Sequence, residues 1–351
     1  MGCDMGGFST FETQDKVLVA LSGGVDSSVC VRILREQGFD VQAAVIRFSP
    51  AHEGAVQAAH TAARQLEIPL HVLDAGEAFE RQVIRPFCES YCQGRTPNPC
   101  VLCNPALKFR LLAEKADELG IRFIATGHYA RVEQDEDGFY RVHTAASGAR
   151  DQSYMLYRLG QDIFSRLILP LGEFEKDDVR EMARESGLEA ANAPDSMEIC
   201  FIPEGNYGQY IEARGLQGRP GRFIGPEGQD LGPHQGVLHY TVGQRRGLGI
   251  ALGRPVFVQR ILPSGDIQLG WAGQEFASRV QLSGLVAAGG VLPAGGYLAK
   301  VRSAAKAVPC TYDGVSALVF PQPVRAPAPG QSAVLYRGDA VMGGGFIEDF
   351  S

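Results

Sequence analysis

Five apolar residues in a row, Val17-Leu18-Val19-Ala20-Leu21, run straight into Ser22-Gly23-Gly24-Val25-Asp26-Ser27-Ser28. An apolar run of that length bounded by turn residues reads as a buried strand, and residues 27–37, closed by Gly38, read as a helix. Strand, glycine turn and helix in that order constrain the fold more than any other feature of the chain. The glycines permit a tight turn with backbone N–H groups aimed at an anion, and the helix N-terminus adds partial positive charge. Ser27 and Ser28 offer hydroxyl donors, and Asp26 offers a carboxylate for Mg²⁺ near a pyrophosphate. The plainer alternative is a capped strand–helix turn in which Ser22 and Asp26 serve local hydrogen bonds. The chain has no G-x-x-x-x-G-K-[ST] string, so no loop lysine serves a transferring γ-phosphate.

The alternation continues. Strands are expected at residues 41–46, 70–73 and 121–125, and helices at 55–66 and 107–119. Such a series implies βαβ units and a parallel sheet covered on both faces. Beyond about residue 203 the text changes to Gly, Pro and Arg, then to short β-like runs at 256–262, 267–269, 297–301, 317–320 and 332–336. These read as a small β-barrel, with residues 287–296 and 321–330 as loops. A length of 351 residues is long for one core and favours two or three domains.

A net charge of −7 excludes a generic nucleic-acid coat but not one structured RNA bound through local basic patches. Arg245, Arg246, Arg254 and Arg260 are candidates for phosphate contacts. No apolar run approaches a membrane span and the first residues lack a signal pattern, so a cytoplasmic protein with no membrane partner is expected. Eight cysteines in a reducing compartment point to metal, redox or nucleophilic roles. Thr96-Pro97-Asn98-Pro99-Cys100-Val101-Leu102-Cys103-Asn104 sets a C-x-x-C behind two prolines that stiffen the loop. Cys200, beside Ile199 and Phe201, reads on its own as a small buried hydrophobe. Zinc on Cys88, Cys92, Cys100 and Cys103, and an iron–sulfur cluster on Cys100, Cys103 and Cys200, remain open.

Taken together, these strings resemble one family, the tRNA-specific 2-thiouridylases. Ser22 to Ser28, Thr96 to Asn104 with Lys108-Phe109, Ala125-Thr126-Gly127-His128-Tyr129-Ala130-Arg131, Asp151-Gln152-Ser153-Tyr154 and Leu169-Pro170-Leu171-Gly172 match in order. So do Ser196 to Ile202, His239 to Gly249, Pro329-Gly330-Gln331 and Gly343-Gly344-Gly345. The resemblance implies an α/β fold: an N-type ATP pyrophosphatase domain (1–203), a central tRNA-binding domain (204–272) and a C-terminal β-barrel (273–351).

The resemblance also implies roles. Cys103 is the nucleophilic or resolving thiol, and Cys200 carries a persulfide. Ala20, Leu21, Ser22, Gly23, Gly24, Val25, Asp26, Ser27, Ile46 and Gly127 contact ATP. Asn98, Pro99 and Cys100 border the target base, while His128, Arg150, Asp151, Gln152, Arg302 and Gln331 contact tRNA. Arg150 stands where the family has Lys, Ile46 where Met is frequent, and Ser303 where Tyr is usual. The implied partners are a tRNA with a wobble uridine, of Lys, Glu or Gln type, and a persulfide donor protein. Two other readings keep part of the pattern: an amidating pyrophosphatase, which has no use for Cys103 and Cys200, and a tRNA-binding relative without sulfur transfer.

Overall fold

The computed structural model describes residues 15–192, 199–202 and 206–351. Its contacts divide the chain into two units: residues 1–76, 105–153 and 160–201, and residues 77–104, 154–159 and 202–351.

The first unit is built on a parallel sheet of β1 (Lys16–Ala20), β2 (Asp40–Arg47), β3 (Leu70–Asp74), β4 (Phe123–Ala125) and β7 (Leu167–Ile168), in the order β3-β2-β1-β4-β7. β1 is central, with Val17 facing Val41 on one side and Phe123 on the other. Val17, Leu18 and Val19 are fully buried, which is why this stretch carries no polar alternation. The chain proceeds from β1 outward through β2 to β3, then returns to the other side with β4. The C-terminal end of β1 is therefore a topological switch point, where open α/β sheets form their ligand crevice. The helix Val25–Glu36 follows β1 and packs through Val29, Ile33 and neighbours into the same core as Val179 and Ala183 of the helix Lys176–Glu185. β5 (Ala130–Gln134) and β6 (Tyr140–Thr144) form an antiparallel hairpin. Its buried Arg141 is held by Asp135 and Asp137.

The second unit contains two β assemblies rather than one continuous barrel. β8 (Arg222–Ile224), β9 (Asp230–Pro233), β10 (Val256–Ile261) and β11 (Ile267–Trp271) form a four-stranded sheet in the order β10-β11-β8-β9 around Phe223, Val258, Ile267 and Leu269. β12 (Phe276–Ala287), β13 (Gly295–Lys300), β14 (Val308–Tyr312), β15 (Ala317–Arg325), β16 (Ser332–Arg337) and β17 (Ala340–Phe350) run in the order β12-β15-β14-β13-β16-β17. Pairing of β12 with β17 closes this barrel and leaves it no free edge. Residues 321–325, expected in a loop, belong to β15. The pairing jumps from Arg279↔Val319 to Ala277↔Val324, so Pro321 and Pro323 fall in the irregular gap where a missing N–H costs no ladder bond. The same unit holds the helices Arg85–Cys92 and Pro99–Cys103.

Among the described residues, no helix is long and apolar enough to cross a membrane.

Candidate active site

At the switch point, Gly24 caps the helix Val25–Glu36 in an extended conformation, and Gly23 turns at φ +77°. A Cβ on Gly23 would lie 2.5 Å from the backbone of Ala58, so both space and dihedral demand glycine here. Gly127, just past β4, is tight but less so: a Cβ there would lie 3.1 Å from the Asp26 carbonyl carbon and the Ser27 nitrogen. The ends of β1 and β4 thus bring the Ser22–Ser27 loop and Gly127 together. Ala20 and Leu21 lead into the loop, Val25 is buried beneath it, and Ile46 lies in β2 next to Leu73 of β3.

The hydroxyls do not point outward. Ser27 Oγ donates to the Gly24 carbonyl at 3.1 Å and Ser28 Oγ to the same oxygen at 3.0 Å; both residues are buried. Ser22 Oγ lies 3.2 Å from Ser27 Oγ. These serines shape the turn, and they also take up the Ser22 and Gly24 amides, at 3.2 and 3.4 Å.

The larger departure concerns Asp26. Its carboxylate, expected to hold Mg²⁺, receives Lys176 Nζ at 2.7 Å on one oxygen and 2.8 Å on the other. Tyr129 Oη donates to the first oxygen at 2.7 Å. Burial and this bond to Asp26 push the Tyr129 phenol well above its ordinary range, so it remains a donor. Lys176 is 7% exposed and opens the helix Lys176–Glu185. A cation at a helix N-terminus opposes the macrodipole, and a buried one needs a counter-charge. Both costs are met by Asp26. Sequence reading missed Lys176; its only local signal is a lysine at the first position of a helix whose next two residues are acidic.

With both oxygens so engaged, Asp26 does not fit a Mg²⁺ ligand. Nor is any group of three or more His, Cys, Asp or Glu side chains suited to hold a metal found among the described residues. The zinc set, which lies within the second unit, therefore finds no assembled donors among the described residues. Burial pushes the Cys88 thiol up to about 11 and Cys310 up to about 12, with Cys30 and Cys92 also raised, which makes these four weaker nucleophiles than a free thiol.

Residues expected at tRNA are tied into the fold. His128 lies 2.7 Å from Thr126 Oγ1 through Nδ1, 3.5 Å from Lys108 Nζ through Nε2, and stacks on Phe109. Burial, then Lys108, holds its imidazole well below the ordinary range. The neutral ring accepts from Lys108 and donates to Thr126. Gln152 exchanges two hydrogen bonds with the Tyr129 backbone, at 2.8 and 3.0 Å. Asp151 accepts from the Ala145 amide and from the amide and hydroxyl of Ser153, and Arg150 is exposed.

In the second unit, Asn98 Oδ1 accepts from the Cys100 amide at 3.1 Å and caps the helix Pro99–Cys103. Asn98 Nδ2 reaches Met155 Sδ at 3.3 Å, and Asn104 donates to the Met155 carbonyl at 2.9 Å. Pro99 is buried, Cys100 exposed and Cys103 half-buried. Pro105 cannot donate a backbone hydrogen bond, and the wider π turn Asn104–Lys108 accommodates it. Gln331 Nε2 donates to the Thr96 carbonyl at 2.8 Å. Arg302 donates to the Val242 carbonyl at 2.7 Å and twice to the Ala326 carbonyl, at 2.9 and 3.1 Å. Cys200 is exposed, in contrast to the buried position expected from its neighbours Ile199 and Phe201; residues 195–198 of that motif lie outside the described residues. Arg260 is bound to Asp349, Arg254 stacks 3.9 Å over Trp271, and Arg245 and Arg246 are exposed.

Three family models match: a tRNA methyl transferase HUP domain over residues 15–204, a tRNA methyl transferase PRC-barrel domain over 209–267, and an aminomethyltransferase β-barrel domain over 293–347. The tRNA-specific 2-thiouridylase MnmA of Carboxydothermus hydrogenoformans is 42% identical, covering 95% of this chain and 97% of its own. The chain belongs to the tRNA-specific 2-thiouridylase family. A second 2-thiouridylase, from Lachnoclostridium phytofermentans, is 41% identical over 95% of this chain and 99% of its own. A solved 4-thiouridine synthetase–RNA complex with bound ATP is a remote likeness, at 20% identity and a TM-score of 0.38 over 57% of this chain and 50% of that one.

Proposed function

We propose that the chain thiolates C2 of the wobble uridine in tRNA, using ATP to activate the base and a cysteine persulfide to supply sulfur. Full-length similarity to the 2-thiouridylases carries this reading. ATP, arriving with Mg²⁺ on its phosphates, binds the amides of the Ser22–Ser27 loop. Lys176 supplies the cation that the loop sequence lacks, and Asp26 and Tyr129 hold that ammonium in place. Gly127 leaves room for the nucleotide beside Asp26.

The C2 oxygen attacks the α-phosphorus and pyrophosphate leaves, so the base carries AMP on that oxygen. The terminal sulfur of a persulfide on Cys200 attacks C2, and AMP departs with the oxygen. The Cys103 thiolate then attacks Cys200 Sγ, breaking the S–S bond. The sulfur stays on the base, and a Cys103–Cys200 disulfide forms that an external thiol must reduce. Asn98, Pro99 and Cys100 border the base, which must leave its stack to reach the helix Pro99–Cys103. Arg150, Arg245 and Arg246 are the exposed cations proposed for tRNA phosphates. The three-part organisation 1–203, 204–272 and 273–351 is proposed with it, supported by the three matched segments.

The test incubates the protein with unmodified wobble-uridine tRNA, ATP, Mg²⁺ and a persulfide donor, followed by nucleoside mass spectrometry. A 2-thiouridine peak absent in Cys200→Ala supports the reading. No peak from protein that still binds tRNA and ATP overturns it.

A further inference from the structure

The segment that delivers the chain to Cys100 and Cys103 has almost no means of ordering itself. Residues 95–98 belong to no helix or strand, and Pro97 and Pro99 each lack a backbone donor. Its order comes from contacts far along the chain. The Thr96 amide donates to the Pro329 carbonyl at 2.7 Å, and the Thr96 carbonyl accepts from Gln331 Nε2 at 2.8 Å. Thr96 Oγ1 lies 3.2 Å from Thr241 Oγ1, and Arg95 pairs with Glu348 at 2.8 Å. Gly330, at φ +92°, lets the two backbones meet, since a Cβ there would lie 3.0 Å from the Thr96 amide nitrogen. Ser332, which follows Gln331, exchanges hydrogen bonds with Tyr154 Oη at 2.8 and 3.2 Å. Tyr154 precedes Met155, on which Asn98 and Asn104 both rest. Two consecutive barrel residues therefore hold the arm and the floor of the cysteine helix.

We propose that Gln331 is a positioning residue for Cys103: its amide fixes the arm at Thr96 and so sets the orientation of the helix Pro99–Cys103 before any tRNA binds. This deepens the thiolation reading and rests on it for the role of Cys103. The Gln331 amide is turned to a main-chain carbonyl of the arm in the tRNA-free protein, where a bond to RNA cannot be what holds it. The arm has no turn donor to replace it, because the residue three positions beyond Thr96 is Pro99, which has no N–H.

The test is alkylation of tRNA-free, ATP-free protein with iodoacetamide, with the rate at Cys103 read by fragment-ion mass spectrometry and Cys92 as internal reference. Gln331→Glu keeps the shape and removes the donor. It is expected to raise the Cys103 rate about fivefold, the factor that one neutral hydrogen bond represents, and to leave Cys92 unchanged. In the thiolation assay kcat falls by a similar factor while KM for tRNA stays within about twofold. Gln331→Met, which removes the donor without adding charge, carries the same expectation if the glutamate variant fails to fold. An unchanged Cys103 rate with a raised KM for tRNA overturns the proposal and makes Gln331 an RNA contact. Because alkylation uses neither tRNA nor ATP, its outcome is independent of whether the thiolation reading survives.

Discussion

Lys176 and Asp26 lie 150 residues apart in sequence, yet the lysine ammonium sits within 2.8 Å of both carboxylate oxygens. The pair joins the first turn of the helix Val25–Glu36 to the first turn of the helix Lys176–Glu185. Half of the proposed phosphate site is thereby assembled by packing rather than by local sequence.

Removing the ammonium leaves a carboxylate that is 32% exposed at its side chain, so the loss is smaller than for a wholly buried pair. Lys176→Met is expected to cost roughly 2 kcal/mol in urea unfolding, below the usual range for a buried pair broken on one side. The double change Lys176→Met with Asp26→Asn should recover part of that stability but none of the activity. ATP–pyrophosphate exchange in the presence of tRNA is expected to fall at least about a hundredfold in the single variant, the order set by losing one preorganised charge at a transition state.

The two glycines against the loop should behave differently. Gly23→Ala forces a Cβ against the Ala58 backbone at positive φ and is expected to destabilise by about 2 kcal/mol or more. Gly127→Ala meets its neighbours at 3.1 Å with ordinary φ, so the fold should survive while KM for ATP rises. Thermal melting with ATP titration separates the two outcomes.

Arg302→Met tests whether that guanidinium serves RNA or the fold. Burial lowers its pKa, and its hydrogen bonds go to the Val242 and Ala326 carbonyls. The expected result is a stability loss of about 2 kcal/mol, typical of hydrogen bonds to a charged group, with KM for tRNA unchanged. A raised KM at unchanged stability contradicts this.

His128 predicts a pH effect with a definite sign. Its folded pKa lies below the ordinary imidazole value of 6.5, so the unfolded chain takes up the proton first. Stability from this group is complete above pH 6.5 and is lost progressively as pH falls from there toward the folded pKa. His128→Gln should flatten that part of the curve, measured as urea midpoints at pH 7.5 and 5.5 against the parent protein.

The first strand, its loop and the flanking helix were legible because burial on both faces, glycine geometry and helix periodicity are local signals. The barrel was legible only in part. β17, absent from the β-like runs expected from the sequence, contains Gly343-Gly344-Gly345, where a Cβ at Gly344 would lie 2.5 Å from the Ala333 carbonyl and one at Gly343 2.2 Å from that of Val286. Close strand approach selects those glycines, and no one-dimensional pattern reports it. The cysteine motif announced itself through its prolines. The commitments of Gln331, Arg302 and Gln152 to main-chain groups did not, because a polar side chain in a motif looks the same whether it faces a ligand or a distant carbonyl. Lys176 was hidden for the same reason.

The bond from Gln331 to Thr96 spans 235 residues of chain. At a synthesis rate of roughly 5–20 residues per second, on the order of ten to fifty seconds pass on the ribosome between the two. Throughout that interval the C-x-x-C segment has been made but lacks the turn that orders its approach. A nascent chain therefore exposes two cysteines without the frame that aligns them, and acquires that frame only once the barrel strands after residue 331 are available to close.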